Sequence, residues 1–258
     1  MSACSEQEYL ANYQANRYPT PLLTVDMAIF SIKESQLQVL LIQRSNFPAK
    51  GQWALPGGFV DLTQDADLLA SAKRKLIEKT GIKTPYLEQV ASVGNAKRDP
   101  RGWSVTVVYF ALIDFNAIAS QLSATEQSQW VPVHEALQHE LAFDHRHLLT
   151  LACERLRSRT RYTALPISLM PPLFTLTELQ QIYEIILGQS LEKKSFRRRM
   201  LDAGVVEETD QSKIAGKRPA QLYRYALADY AFQFPRILEY PRSSHEAQSF
   251  DLTASAQA

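Results

Sequence analysis

The sequence predicts an α+β protein of two domains, and three observations carry that prediction. Between about residues 21 and 160, aliphatic and β-branched runs alternate with helical periodicity, the pattern of a sandwich of sheet and helices. A proline cluster, Pro166, Pro171 and Pro172, then breaks the chain as a domain junction does. Beyond it come two short helices and two short strands in close order. At 258 residues there is length for one large domain or two ordinary ones. A composition of 45% hydrophobic and 21% charged residues excludes a disordered or fibrous class.

Residues 1–20 read as a loose or helical arm. Leu23 to Ile32 and Leu37 to Gln43 form a hairpin about the turn at Lys33 to Gln36. Phe47 to Gln52 is a loop, and Trp53 to Pro56 is a short extended piece ending at Gly57 and Gly58. Asp65 to Lys79 reads as a helix, with Leu69, Ala72 and Leu76 at i, i+3 and i+7 and Gly81 as its stop. Leu87 to Gly94 and Val105 to Ile113 are strands, the second fully buried. Gln129 to Val133 is another, leading to a short helix. Phe143 to about Arg159 is a helix with Asp144 at the N-cap. His145 and His147 are two apart and diverge on a helix, so they make no shared metal site.

After the junction, Thr175-Leu-Thr-Glu178 has the form of a capping box, and its helix stops at Gly188. Leu191 to Ala203 is a second helix. Val205 to Thr209 and Gln221 to Tyr225 are strands around a loop with Asp210, Gly216 and Pro219. Helix, tight turn, helix and hairpin is the order of a winged helix-turn-helix, spanning 161–240. Residues 241–258 read as a disordered Ser/Ala/Gln-rich tail.

Two cysteines, Cys4 and Cys153, have no metal-type spacing and suit free thiols in a reducing compartment. The polar N-terminus lacks the features of a signal peptide, and no apolar run is long enough to span a membrane. A cytoplasmic protein is expected.

The run Trp53-Ala-Leu-Pro-Gly-Gly-Phe-Val60, with a helix ending Arg74-Lys-Leu-Ile-Glu-Lys-Thr-Gly-Ile82, resembles the Nudix box. The resemblance implies an α/β/α sandwich over 21–160. The family pattern there is Arg-Glu-apolar-x-Glu-Glu-x-Gly-apolar, whose carboxylates share a helix face and gather Mg²⁺ against a diphosphate. Here the three positions are Lys75, Glu78 and Lys79, a change of +4 in formal charge on that face. A further family glutamate falls at Ala66, flanked by Asp65 and Asp67. One carboxylate beside two ammonium groups is a poor Mg²⁺ site, so neither hydrolysis nor a required cofactor is expected. Lys75 and Lys79 instead suit bound phosphates.

Asn95 to Trp103 contains Arg-Asp-Pro-Arg-Gly, which looks like the segment of ADP-ribose-directed Nudix proteins. Guanidinium groups on a proline-stiffened loop suit a diphosphate. The candidate ligand residues are Arg44, Trp53, Gly57, Gly58, Phe59, Lys75, Glu78, Lys79, Arg98, Asp99, Arg101, Trp103 and Tyr109. Among them Trp53, Phe59, Trp103 and Tyr109 are the candidates to stack on a base or line a ribose pocket.

Net charge over the whole chain is only +1, yet Leu191 to Arg224 holds nine Lys and Arg against five acids. The excess sits where a recognition helix and wing belong, at Lys193, Lys194, Ser195, Arg197, Arg198, Arg199, Lys213, Lys217 and Arg218. Ser195 and Arg199 are the candidates to approach bases, and Lys213, Lys217 and Arg218 those for the backbone. A degenerate Nudix domain followed by a winged helix resembles the NrtR family of Nudix-related regulators of NAD metabolism. That resemblance implies a homodimer repressing NAD biosynthesis or salvage genes and released from double-stranded DNA operators by ADP-ribose. Two rivals stand beside it. One is an active hydrolase of ADP-ribose or a related nucleoside diphosphate, using Glu78 with Asp65 or Asp67. The other is a protein-interaction module whose basic helix docks an acidic partner.

Overall fold

The computed structural model describes residues 5–14, 17–81, 86–115, 127–215, 218–227, 230 and 232–235. The proposed tail at 241–258 lies outside them. In chain order the elements are α1 (Glu6–Ala11), β1 (Leu22–Lys33), β2 (Gln36–Gln43), β3 (Trp53–Ala54), β4 (Gly57–Phe59) and α2 (Leu68–Thr80). There follow β5 (Glu88–Asn95), β6 (Ser104–Leu112), β7 (Ser128–Pro132), α3 (Val133–Ala136) and α4 (His145–Tyr162). A 3₁₀ turn at Leu165–Leu169 leads to α5 (Leu176–Leu187), α6 (Lys193–Asp202), β8 (Val206–Ala215) and β9 (Arg218–Tyr225).

β1 and β2 pair antiparallel around Glu34 and Ser35, both at positive φ, as a tight two-residue hairpin requires. β1 also pairs in parallel with β6, and β6 antiparallel with β5. These strands form one seven-stranded sheet with β3, β4 and β7. Alternation along β1 sends Val25, Met27 and Ile29 to one face and Ala28 and Phe30 to the other. The first set meets Ala72 and Leu76 of α2, and the second meets Leu148, Leu149, Ala152 and Leu156 of α4. The domain is therefore an α/β/α sandwich, and burial on both faces makes β1 and β6 read as continuous apolar runs.

α2 starts three residues later than Asp65. Asp67 is its N-cap, accepting from the Ala70 amide at 2.7 Å, and Gly81 closes it in the left-handed region. Leu69 is exposed, and Ser71 and Thr80 take buried places on the inner face.

In the second domain the Thr175–Glu178 capping box is formed reciprocally, and Gly188 ends α5 at φ 69°. Phe174, Leu179, Tyr183, Phe196, Met200, Val205 and Tyr223 make its core. The hairpin is longer than expected, its strands running on through Asp210 and Pro219 with a register shift between Glu208 and Ser212. Phe174 bridges Tyr223 as a third, minimal strand. Leu165, Leu169 and Ile186 pack into the α4 side of the sandwich core, so the junction is an apolar seam.

Candidate ligand cavity and nucleic-acid interface

The ends of β1, β2 and β4, the start of α4, the 95–103 loop and one face of α2 enclose a cavity of about 280 Å³. That is the scale of a small-molecule pocket rather than a groove for a polymer. β4 approaches β1 so closely that a side chain at Gly57 would collide with the Asp26 carboxylate. From α2, Lys75 and Lys79 line the cavity together, one turn apart on one face.

The cavity's base is a buried polar network. Arg98, whose side chain is 4% exposed, donates from Nε and Nη2 to the two Asp144 carboxylate oxygens, both at 3.0 Å. It also donates to Ser104 Oγ at 3.3 Å and lies 3.6 Å from Asp26. Asp26 accepts from Thr106 Oγ1 at 2.7 Å. His145 Nδ1 accepts from the Leu55 amide at 2.9 Å, which leaves the proton on Nε2, 3.7 Å from Asp26. Burial pushes the His145 pKa down and keeps the ring neutral. Asp144 occupies the N-cap position of α4 but makes no capping hydrogen bond, because Arg98 holds both of its oxygens.

Nearer the mouth, Arg101 donates to Asp99 at 2.7 Å and holds that carboxyl below its ordinary range. The Arg101 guanidinium also lies 4.8 Å from the Phe59 ring centre. Arg44 and Arg101 stand 4.6 and 5.9 Å from the ring centre of Phe143. Phe143 is at φ 56°, a conformation that costs a bulky residue energy and is met mostly at functional sites.

The structure thus brings Arg44, Gly57, Gly58, Phe59, Lys75, Lys79, Arg98, Asp99 and Arg101 to one cavity. It does not bring Trp53, Glu78, Trp103 or Tyr109 there. Tyr109 is 4% exposed in the core against α2, and burial raises its pKa. Trp53 packs against the main core, Trp103 lies over Gly94, and Glu78 is bound from outside by Arg74 and Lys75, each at 2.8 Å. The aromatic walls are Phe59, one of the sequence candidates, with Phe143 and Phe47. Sequence reasoning missed Phe143 because its backbone conformation has no local signature, and Phe47 because it stands in a loop.

The other acids near the Nudix-like helix are also engaged. Asp65, with 2% of its side chain exposed, accepts from Arg74 Nε and Nη2 at 2.6 Å and from Ser71 Oγ at 2.6 Å. The Arg74 guanidinium holds its carboxyl well below the usual range. Asp67 is committed to its helix cap. Divalent metal needs clustered, available oxygens, and the donor set here does not fit one. Among the described residues no group of three or more His, Cys, Asp and Glu is placed to hold a metal.

On the second domain, Lys193, Lys194, Ser195 and Arg198 are exposed along α6, and Arg197 is half-buried. Glu192 caps the helix by accepting from the Lys194 and Ser195 amides. Arg199 turns inward. It donates to the Arg161 carbonyl at 3.1 Å, and its guanidinium lies 4.1 Å from the Phe234 ring centre. Its place between Phe196, Met200 and Ala203 on the apolar stripe is the signal that distinguishes it. Lys213 on β8 pairs with Glu178 at 2.9 Å. Lys217 lies outside the described residues, and of Arg218 only the backbone is described.

A Nudix-type sandwich whose box helix carries lysines, continued into a winged helix with a basic second helix, defines a Nudix-derived regulator rather than a plain hydrolase fold. Residues 22–152 match the NUDIX domain family, and residues 166–225 match the NrtR DNA-binding winged helix domain family. The chain is 72% identical over 238 residues to an ADPR responsive transcriptional repressor, NtrR, of Acinetobacter baylyi, covering 92% of this chain and 95% of that one. The Shewanella oneidensis NrtR in complex with a 27mer DNA superimposes at TM-score 0.79 and 44% identity, over 84% of this chain and 99% of that one. The NUDIX domain of the same protein with ADP ribose matches at TM-score 0.54 and 47% identity, over 59% of this chain and 99% of that one. The chain belongs to the NrtR family.

Proposed function

We propose that this protein is a DNA-binding transcriptional repressor released from its operator by ADP-ribose or a closely related nucleotide. The observation that carries this reading is the joining, in one chain, of a cation-rich cavity lacking a metal-type donor set to a winged helix with an exposed basic face. Its relatives support it: one is named an ADPR-responsive repressor, and the Shewanella protein is seen with DNA and, through its NUDIX domain, with ADP ribose. Target genes in NAD biosynthesis or salvage, a homodimer, and action in the cytoplasm complete the reading. Among the described residues no helix is long and apolar enough to cross a membrane.

Lys193, Lys194, Arg197 and Arg198 supply phosphate contacts, with Ser195 toward the bases. A dimer offers two α6 helices to half-sites about one DNA turn apart. Ligand that binds better to a geometry fitting DNA badly lowers operator affinity, and DNA in turn weakens ligand binding by the same factor. α4 suits the transmission. Its first turn carries His145 beside Asp144 and Arg98, and its last carries the Arg161 carbonyl that holds Arg199.

The test is a gel-shift on the upstream region of the gene's own locus, with and without ADP-ribose. Retardation that saturating ADP-ribose abolishes is expected; retardation indifferent to ligand defeats the effector reading. Incubation with ADP-ribose and Mg²⁺ is expected to give no turnover, and brisk cleavage would favour the hydrolase reading instead.

A further inference from the structure

Gly58 offers a place to look beyond ligand identity. A Cβ built there would stand 3.1 Å from Cδ and Cε of Lys75, so the missing side chain is the seat in which the lysine stem lies. The side chain of Lys75 is only 18% exposed, and Glu78 on the outer side accepts from its Nζ at 2.8 Å. Lys79, one turn on, lines the same cavity. Both lysines stand at box positions where the Nudix pattern carries carboxylates, and the remaining acids of the region, Asp65, Asp67 and Glu78, are taken by Arg74, a helix cap and Lys75. The cavity lining holds five cationic side chains against two carboxylates, Asp26 and Asp99.

A diphosphate brought into such a cavity needs positive charge to replace its lost hydration. In a carboxylate-lined box that charge comes from bound divalent ions. Here the carboxylates have become the charge. We propose that the Lys75 and Lys79 ammonium groups occupy the electrostatic role of the metal, so that this protein binds its anionic nucleotide without divalent cation. The inference rests on the ADP-ribose reading and adds to it the groups that neutralise the diphosphate. An ammonium has no coordination site at which to bind a water and lower its pKa as a divalent ion does, so binding leaves the diphosphate intact. The sensor then reports nucleotide concentration independently of the Mg²⁺ level.

The experiment is calorimetric titration of the full-length protein with ADP-ribose, once with EDTA and once with Mg²⁺. Wild type is expected to bind equally in both. Lys75→Met is expected to bind about tenfold or more weakly in both, the loss of one charge-assisted contact. Lys75→Glu/Lys79→Glu is expected to lose binding in EDTA and regain part of it in Mg²⁺. Thermal melts of each variant separate a folding defect from a binding one, and the Mg²⁺ rescue is a gain that misfolding cannot produce. Wild-type binding that collapses on chelation overturns the proposal alone, as does Lys75→Met binding with wild-type affinity. No wild-type binding in either buffer overturns the ADP-ribose reading, and this inference with it.

Discussion

Replacing Arg198 and replacing Arg199 with methionine remove the same charge from adjacent positions of α6, and they should have opposite consequences. Arg198 is exposed, whereas Arg199 is half-buried against Phe234 and donates to the Arg161 carbonyl. If Lys193, Lys194, Arg197 and Arg198 each neutralise a phosphate and the protein binds as the proposed dimer, counterions are released from about eight phosphates, giving a slope of log K against log salt near −7 at roughly −0.9 per phosphate. Arg198→Met removes two of these contacts, so the slope should become shallower by about 1.8. Arg199→Met should leave the slope unchanged. It loses a cation–π contact and a hydrogen bond, together about 2 kcal/mol, which lowers the melting temperature by roughly 4–8 °C. Fluorescence anisotropy on an operator duplex across a salt series, beside a thermal melt, reads both quantities. Should Arg199→Met flatten the salt dependence as much as Arg198→Met, with no loss of stability, this division of labour along α6 is refuted.

Arg98→Met should be among the more damaging single changes in the sandwich, because it leaves the Asp26 and Asp144 carboxylates without their shared cation. A cost of about 3–5 kcal/mol is expected in chemical denaturation, and Asp144→Asn should cost less because the guanidinium keeps an acceptor. Burial holds His145 below the ordinary imidazole pKa, so the unfolded chain takes up that proton first as pH falls below about 6.5. The stability its neutral ring confers is fully present above that pH and is lost below it, toward the folded-state value. Melting temperatures followed from about pH 7 to pH 5 should therefore decline less steeply in His145→Gln than in wild type. Thr175→Ala removes the reciprocal cap of α5 and should cost about 1 kcal/mol in the same denaturation assay.

Much of the architecture was legible in the residues themselves. The β1–β2 hairpin, the stop at Gly81, the capping box at Thr175 and the stripe of Phe196 and Met200 are local signals, and each forms where its chemistry places it. The lysines of α2 were legible too, because helical spacing fixes which residues share a face. Apart from Phe59, the aromatic side chains were not. Trp53 and Tyr109 had the right chemistry to stack on a nucleotide, but facing the cavity or the core depends on strand parity and register, which are set by tertiary pairing. Trp103 stands just before β6, half exposed over Gly94. Phe143 comes to the cavity only because the chain turns through φ 56° before α4. The wing strands run longer than local preference indicates: Pro219 is taken into the ladder opposite Ile214, whereas Asp210 falls in the irregularity between Glu208 and Ser212 that the strand runs through.

Leu165, Leu169 and Ile186 enter the same apolar cluster as Leu148, Leu149 and Leu156 of α4. For genetics, this shared seam sorts mutants into classes. A truncated side chain there should weaken sensing and operator occupancy at once, by loosening the scaffold beneath both. Variants blind to nucleotide yet still bound to DNA should instead map to the cavity wall, and constitutively derepressed ones with intact sensing to the outer face of α6.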